Sequence, residues 1–282
     1  MELKNVGVVG SGTMGNGITQ VLAQAGFKVI MQDIKDEFVN KGLEVIKKNL
    51  QREVDKGKRT TEEVEEIVAR IKTTTDQQNF SSVDMVIEAV FEDVNVKKEV
   101  FTKLDKICPP EVYFATNTSG LSVTEIASST QRADKFVGMH FFNPVPVMKL
   151  VEVIKGYDTL EETFNLAMEL SKKLGKTPIA VEEAPLFAVN RILVPMINEA
   201  IFVLMEGIAS AEDIDQGMKL GANHPIGPLA LADLIGLDTL LMVMETLYHE
   251  TADSKYRPCP LLKKMVRAGH YGRKSGQGFY KY

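Results

Sequence analysis

A glycine-rich loop between a short apolar strand and a helix places the strongest constraint on how this chain folds. Residues 5–10 read NVGVVG and predict a buried strand, and an apolar helical run over residues 14–24 follows. Gly10 permits a tight turn, Gly12 lets the backbone approach a pyrophosphate, and Gly15 lets the helix pack closely on the strand. The phosphates would lie at the helix N-terminus. This context for GxGxxG predicts a dinucleotide site, and the alternative is a tight turn without a ligand.

The second predicted strand, residues 28–33, ends in an acidic residue. Asp33 follows the glycines by about twenty positions, where a carboxylate accepts a hydrogen bond from a ribose 2′-hydroxyl. The same carboxylate repels a 2′-phosphate, so Asp33 favours NAD over NADP. Lys35 lies two residues further on and weakens this preference, which leaves NADP open.

Short apolar strands alternate with helical segments up to about Pro185, which predicts an α/β fold with a Rossmann-like, mostly parallel sheet. The predicted strands are residues 5–10, 28–33, 84–90, 112–116, 135–141, 149–154 and 177–182. Residues 37–71 predict a helical hairpin inserted between the second and third of these strands. This hairpin is basic, and it is either an ordinary solvated surface or a clamp for a phosphorylated substrate, with Lys56 as a phosphate contact.

Beyond residue 190 the alternation ends, and two long apolar segments, residues 191–205 and 229–247, predict an all-α C-terminal domain. The chain therefore divides into a nucleotide-binding Rossmann-like domain, residues 1–185, and an all-helical domain, residues 186–282. Apolar helix faces of this extent are unusual on the surface of a monomer, so we expect a homodimer that forms through the second domain.

Composition and local sequence exclude several other classes of protein. The net charge of -5 and the absence of a basic tail argue against a nucleic-acid partner. The chain enters its first strand without a signal-like segment, and Pro195 and Glu199 interrupt the apolar run over residues 192–205, so we expect a cytoplasmic protein without a membrane span. Cys108 and Cys259 are solitary, which indicates a reducing compartment and predicts no metal site.

A possible acid/base pair lies across two further predicted strands. His140 is in the first strand, Glu152 is in the second, and two prolines between them prevent a helix, so the strand ends can meet. Histidine titrates near neutral pH, and a carboxylate on its other ring nitrogen would fix the tautomer and stabilise the imidazolium. This pair suits the oxidation of an alcohol. The alternative is a buried core histidine with a backbone carbonyl as its partner.

Several motifs together resemble the L-3-hydroxyacyl-CoA dehydrogenase family from end to end. They are GSGTMG at 10–15, ATNTS at 115–119, HFFNP at 140–144 with Glu152, APLFAVNRIL at 184–193 and GRKSGQGFY at 272–280. The match looks closest to the bacterial 3-hydroxybutyryl-CoA dehydrogenases of butyrate and fatty acid metabolism. It implies NAD-dependent interconversion of an (S)-3-hydroxyacyl-CoA, here 3-hydroxybutyryl-CoA, and the 3-oxoacyl-CoA, with the helical domain binding substrate.

The resemblance also implies roles for individual residues. His140 would be the general base, or the acid in the reverse direction, and Glu152 would orient it. Ser119 would contact the substrate oxygen, and Asn190 would bind near the substrate carbonyl. The implied cofactor-binding residues are Gly10, Gly12, Thr13, Met14, Gly15, Asp33, Glu92, Lys97, Asn117, Ser119, Asn143 and Lys274. The implied substrate-binding residues are Ser119, Asn190, Asn49 and Lys56, the last two on the CoA-binding arm.

Two positions depart from the family pattern, and both lie near implied site residues. Leu186 stands where glycine is usual, at a domain junction where a positive φ or a close backbone approach would strain a leucine. Gly120 stands where serine is usual, which adds backbone freedom beside Ser119. A local alternative for Asn117 and Ser119 is that they cap the helix that follows.

Two other functions stay open from the sequence. One is a dehydrogenase of a free hydroxy acid or sugar acid, against which the basic hairpin argues. The other is a non-catalytic nucleotide-binding protein, which would not need the pair formed by His140 and Glu152.

Overall fold

The computed structural model describes residues 3–282. The chain forms two compact units, the first ending at Ala184 and the second spanning Pro185–Tyr282. Among residues 3–282, no helix is both long enough and apolar enough to cross a membrane.

The first unit is built on one sheet. Its strands are β1 (Asn5–Val9), β2 (Lys28–Gln32), β3 (Ile71–Thr74), β4 (Met85–Glu88), β5 (Tyr113–Thr116), β6 (Phe136–Phe141), β7 (Leu150–Lys155) and β8 (Thr177–Glu182). Its helices are α1 (Thr13–Gln24), α2 (Asp36–Asp55), α3 (Thr61–Ala69), α4 (Val94–Ile107), α5 (Val123–Ala127) and α6 (Glu161–Lys173). The strand order is β3-β2-β1-β4-β5-β6-β7-β8. β6 and β7 pair antiparallel, whereas the other neighbouring strands described pair parallel.

This sheet confirms the predicted Rossmann-like fold class. In β4, β5 and β6 every residue is buried, as expected of parallel strands that are covered on both faces. The order reverses between β1 and β4, because β2 and β3 extend the sheet from one side of β1 and the later strands extend it from the other. In such sheets a crevice for ligands opens at the carboxyl ends of the two strands at the reversal.

The predicted helical hairpin consists of α2 and α3, and the short strand β3 that follows was missed. Thr60 caps α3 by accepting a hydrogen bond from Glu63 N, while the Glu63 side chain accepts one from Thr60 N. β3 pairs with β2 at the edge of the sheet. Its sequence, IKTT, is short and only partly buried, so it lacks the apolar run that identifies the central strands.

The second unit is helical, as predicted. Its helices are α7 (Val189–Met205), α8 (Ala211–Gly221), α9 (Pro228–Ile235), α10 (Leu237–Thr251) and α11 (Pro260–Arg267). The apolar run over residues 229–247 forms two helices, because Gly236 adopts φ +101° between them. Asp233 accepts hydrogen bonds from the backbone N–H groups of Phe279 and Tyr280, each at 3.0 Å, and so holds the glycine-rich C-terminal segment.

Leu186 adopts the positive φ that its place in the family pattern led us to expect. Its φ is +60°, and the φ of Phe187 is +58°. A left-handed backbone costs a leucine about 1–2 kcal/mol. The side chain is nevertheless only 2% exposed and packs against Leu247 and Tyr256 within the second unit. Burial of a leucine contributes about 1.5–3 kcal/mol, which offsets the strain.

Replacing Leu186 by glycine should therefore destabilise the protein by about 1–2 kcal/mol, because the lost burial and the greater freedom of the unfolded chain exceed the strain released. Leu186→Ala removes the same packing and keeps a strained Cβ, so it should be less stable than Leu186→Gly by about 1 kcal/mol. Denaturant unfolding measures both variants. An alanine variant as stable as the glycine variant would show that the left-handed backbone carries no cost.

Candidate active site

The three glycines of the loop between β1 and α1 differ in what surrounds them. Gly10 has φ +97°, and a Cβ there would lie 2.5 Å from the Ala89 carbonyl oxygen. A Cβ on Gly15 would lie 1.8 Å from the Gly10 carbonyl oxygen. A Cβ on Gly12, in contrast, would have no heavy atom of the described residues within 4 Å. Packing within the protein thus requires glycine at two positions, while Gly12 opens onto space at the start of α1.

Asp33 follows β2 and is bound to the glycine loop. Its Oδ2 accepts hydrogen bonds from Ser11 N and Ser11 Oγ, both at 2.7 Å, and its Oδ1 accepts one from Ile34 N. Gly12, Thr13 and Asp33 line a cavity of about 350 Å³. The other lining residues are Ser11, Asn16, Phe38, Lys41, Gly42 and Val45. The cavity therefore combines a carboxylate with the N-terminal turn of a helix.

Charged side chains meet beyond the carboxyl end of β4. The Lys97 side chain is fully buried, with Nζ at 2.7 Å from Glu88 Oε1 and at 3.3 Å from Glu92 Oε2. Glu88 also accepts hydrogen bonds from Thr116 Oγ1 and from Val90 N, both at 2.7 Å. A buried ammonium between two carboxylates satisfies the rule that buried charges are paired. The structure thus brings together Glu92 and Lys97, two of the residues predicted to bind the cofactor.

Asn117 and Ser119 lie in the turn after β5. Asn117 Oδ1 accepts a hydrogen bond from Phe141 N at 2.9 Å and so joins the ends of β5 and β6. The suggestion that these two residues cap the next helix is wrong. Ser122 is the cap of α5, because its hydroxyl accepts a hydrogen bond from Glu125 N.

His140 and Glu152 face each other across the antiparallel strands β6 and β7. The distance from His140 Nδ1 to Glu152 Oε2 is 2.8 Å, and both side chains are buried. A carboxylate at Nδ1 accepts the proton of that nitrogen, which makes Nε2 the basic nitrogen of the neutral ring. The Phe142 ring packs on the imidazole with centroids 4.4 Å apart. The partner of Nδ1 is thus a carboxylate, as the acid/base interpretation expects, and the catalytic role of the pair stays a prediction.

The chemically active groups of the first unit gather at one edge of the sheet. The glycine loop follows β1, Asp33 follows β2, and Glu88 ends β4. The turn containing Ser119 follows β5, and His140 is the penultimate residue of β6. All five strands run parallel, so these groups share the carboxyl edge, where α/β sheets bind ligands.

The residues predicted for the CoA-binding arm lie on the helical hairpin. Asn49 is in α2, where its Nδ2 donates a hydrogen bond to Gln20 Oε1 of α1 at 3.3 Å. Lys56 is exposed and follows the last residue of α2. Met14 lies in the first turn of α1, and Asn143 is exposed in the loop that follows β6.

Two predicted site residues belong to the second unit. Asn190 lies in the first turn of α7. Lys274 lies near the C-terminus, where its Nζ is 2.6 Å from the Asp238 carboxylate of the same unit. Their roles toward substrate and cofactor stay predictions.

Two charged residues near this edge were missed by the sequence analysis. Glu88 could have been found, because a glutamate that ends a wholly apolar strand is unusual. Lys176 carries no such signal, although its ammonium donates hydrogen bonds to the carbonyl oxygens of Val145 and Met148 in the loop between β6 and β7. Burial lowers the pKa of Lys176 below its usual range, and the positive charge of Lys149 lowers it further.

Comparison with known proteins assigns both units. The family model described as "3-hydroxyacyl-CoA dehydrogenase, NAD binding domain" matches residues 5–184, and the model for the C-terminal domain of the same enzymes matches residues 187–282. The chain is 54% identical to a probable 3-hydroxybutyryl-CoA dehydrogenase of Bacillus subtilis, with 100% of this chain and 98% of the relative covered. It is 53% identical to 3-hydroxybutyryl-CoA dehydrogenase of Clostridioides difficile, with 98% of each chain covered.

Among solved structures, (S)-3-hydroxybutyryl-CoA dehydrogenase from Ralstonia eutropha has a TM-score of 0.98 and 53% sequence identity, with 100% of this chain and 99% of that chain covered. The family models together match all but the first four residues and two residues at the junction of the units. The cofactor of the first unit is accordingly NAD. The chain belongs to the 3-hydroxyacyl-CoA dehydrogenase family and is an oxidoreductase.

Proposed function

We propose that this enzyme interconverts (S)-3-hydroxybutyryl-CoA and acetoacetyl-CoA with NAD. The observation that carries the proposal is the 2.8 Å contact between His140 and Glu152 at the carboxyl edge of an NAD-binding sheet. The names of the relatives at 53–54% identity support the short acyl chain and the S configuration.

The residues at the glycine loop fit NAD. The open space at Gly12 admits the backbone approach that a pyrophosphate needs, and the N–H groups of the first turn of α1 are suited to its negative charge. Asp33, which lines the adjoining cavity, would accept from a ribose 2′-hydroxyl and repel a 2′-phosphate. Bound NAD supplies the acceptor for the hydride that leaves C3 of the substrate.

The chemistry assigned to the chain itself is proton transfer. His140 Nε2 takes the proton of the 3-hydroxyl, and in the reverse direction the imidazolium returns it to the carbonyl oxygen. Glu152 keeps Nδ1 protonated and stabilises the imidazolium, because the carboxylate is buried at hydrogen-bond distance. Ser119 and Asn190 would hold the substrate oxygens, where hydrogen-bond donors stabilise the negative charge that develops on oxygen during the reaction.

A homodimer formed through the second unit is part of the proposal. Several large apolar side chains of that unit are exposed in the single chain. Their number exceeds what we expect of isolated apolar residues on the surface of a monomer. They are Ile192, Met205, Ile208, Leu220, Leu234, Met242 and Tyr248. Sedimentation at micromolar concentration should give the mass of a dimer, and a monomer would contradict this part of the proposal.

Steady-state reduction of acetoacetyl-CoA, of longer 3-oxoacyl-CoA esters and of free acetoacetate, each with NADH and with NADPH, tests the function. We expect turnover of the CoA ester with NADH, a preference for NADH over NADPH, and rates that decline with longer 3-oxoacyl chains. Comparable turnover of free acetoacetate would favour the alternative of a free hydroxy acid dehydrogenase. If none of these substrates is turned over, the proposal is contradicted.

A further inference from the structure

The turn that carries Ser119 is held by the side chain of Glu92. Glu92 Oε1 accepts two hydrogen bonds, from Thr118 Oγ1 and from Ser119 N, both at 2.7 Å. The other oxygen, Oε2, lies 3.3 Å from Lys97 Nζ. One carboxylate therefore fixes both the backbone of Ser119 and the side chain beside it.

The Thr118 hydroxyl extends this constraint along the turn. While donating to Glu92, it accepts hydrogen bonds from Gly120 N at 3.2 Å and from Leu121 N at 2.8 Å. One donor and two acceptor sites are the full capacity of a hydroxyl. The orientation of this hydroxyl is thus set by Glu92, and it sets the path of the backbone on the C-terminal side of Ser119.

Lys97 connects the turn to the sheet. Its buried ammonium also contacts Glu88, which is itself held at the end of β4 by Thr116 of β5. Through Lys97 and Glu88, the orientation of Glu92 is therefore fixed by two central strands and not only by the surface loop that contains it. The 2.7 Å contact between Lys97 and Glu88 is a charge-assisted hydrogen bond, which is stronger than a neutral one and fixes the ammonium. The ion pair at 3.3 Å then attracts the Glu92 carboxylate to that fixed position.

The need for such a support is greater in this chain because residue 120 is glycine. Glycine has more backbone freedom than any other residue, so the turn beside Ser119 is not stiffened by a side chain at that position. A displacement of about 1 Å in a reacting group can cost about 100-fold in rate. We therefore expect the hydrogen bonds from Glu92 to this turn to affect turnover more than stability.

We propose that Glu92, aligned by the buried Lys97, is a positioning residue that acts through Thr118 to place the Ser119 hydroxyl for the reaction. The proposal rests on the function proposed above, in which Ser119 contacts the substrate oxygen. Glu92 and Lys97 then contribute to turnover through internal contacts, in addition to any part they take in binding NAD.

The first test compares Thr118→Val, which keeps the shape and loses the hydroxyl, with Thr118→Ser, which keeps the hydroxyl. Thr118→Val should lower kcat for acetoacetyl-CoA reduction by about 10-fold or more. The dissociation constant of NADH, measured by fluorescence titration without substrate, should change by less than about threefold. Thr118→Ser should restore kcat to within about threefold of the wild type. A loss confined to NADH affinity would overturn the proposal.

The second test adds Thr118→Val to Ser119→Ala. If Thr118 acts through Ser119, kcat of the double variant should equal that of Ser119→Ala within about twofold, because coupled residues are not additive. Losses that multiply would overturn the positioning role and leave the role of Ser119 intact. Wild-type kcat in Ser119→Ala alone would instead contradict the role that the proposed function gives to Ser119, and the positioning role with it.

Glu92→Leu tests the same proposal in case Thr118→Val does not fold. The Glu92 side chain is 33% exposed, so Glu92→Leu leaves no buried charge unpaired, because Lys97 keeps Glu88 as its partner. This variant should repeat the loss of kcat seen with Thr118→Val. It should add no further loss in the Ser119→Ala background, and an added loss of 10-fold would overturn the proposal.

Discussion

Replacing His140 by glutamine should lower kcat by about 10²- to 10⁴-fold while NADH affinity stays nearly unchanged. Glutamine is polar and can donate a hydrogen bond to the buried Glu152, so the carboxylate keeps a partner and the fold should persist. It cannot take up a proton near neutral pH, so the acid/base step is lost. Steady-state reduction of acetoacetyl-CoA and fluorescence titration with NADH measure the two quantities separately.

The matched control for this variant is His249→Gln. The side chain of His249 is 88% exposed, and its nearest acidic neighbour is the adjacent Glu250 at 3.7 Å. The same chemical change there should leave kcat at the wild-type value. Wild-type turnover in His140→Gln would instead show that another group performs the proton transfer.

Two alanine substitutions in the glycine loop should affect different properties, one cofactor binding and the other folding stability. Gly12→Ala places its methyl group in the open space at the start of α1, so the protein should fold with a loss of about 1 kcal/mol or less. NADH should bind about 10-fold or more weakly, because the methyl group occupies the space that the pyrophosphate needs. Gly15→Ala forces a Cβ to within 1.8 Å of a carbonyl oxygen and should destabilise the protein by at least about 2 kcal/mol.

Thermal unfolding without cofactor and NADH titration distinguish the two variants. We expect Gly12→Ala to change NADH binding and Gly15→Ala to change stability. Gly12→Ala with wild-type NADH affinity would mean that the pyrophosphate does not approach the chain at this glycine.

Much of the first unit was predictable, because its signals are local. The buried central strands are apolar runs, and the glycine loop has a sequence that few other structures require. The edge strand β3 was missed because three half-buried residues and an exposed lysine carry no distinctive pattern. The end of one helix and the start of the next at Gly236 were not predicted, because the apolar run continues through this position and only the positive φ separates the two helices.

In the site, the meeting of His140 with Glu152 could be foreseen, because the connection between their strands contains no helix and is too short for the crossover that a parallel pair needs. The network around Lys97 could not. Glu88 and Thr116 are paired in register on β4 and β5, and Lys97 reaches Glu88 from α4, which lies between these two strands in sequence. Glu92 and Ser119 were both predicted, yet their contact spans 27 positions and follows no sequence period.

Whether Glu152 acts through His140 is tested by kcat for acetoacetyl-CoA reduction in Glu152→Gln with and without His140→Gln. The glutamine at 152 should slow the otherwise wild-type enzyme, because the imidazolium loses its carboxylate. In the His140→Gln background the same change should alter kcat by less than about threefold, since residues that act as a unit are not additive. Losses that multiply would mean that Glu152 contributes independently of the histidine, which would contradict its role as the residue that orients His140.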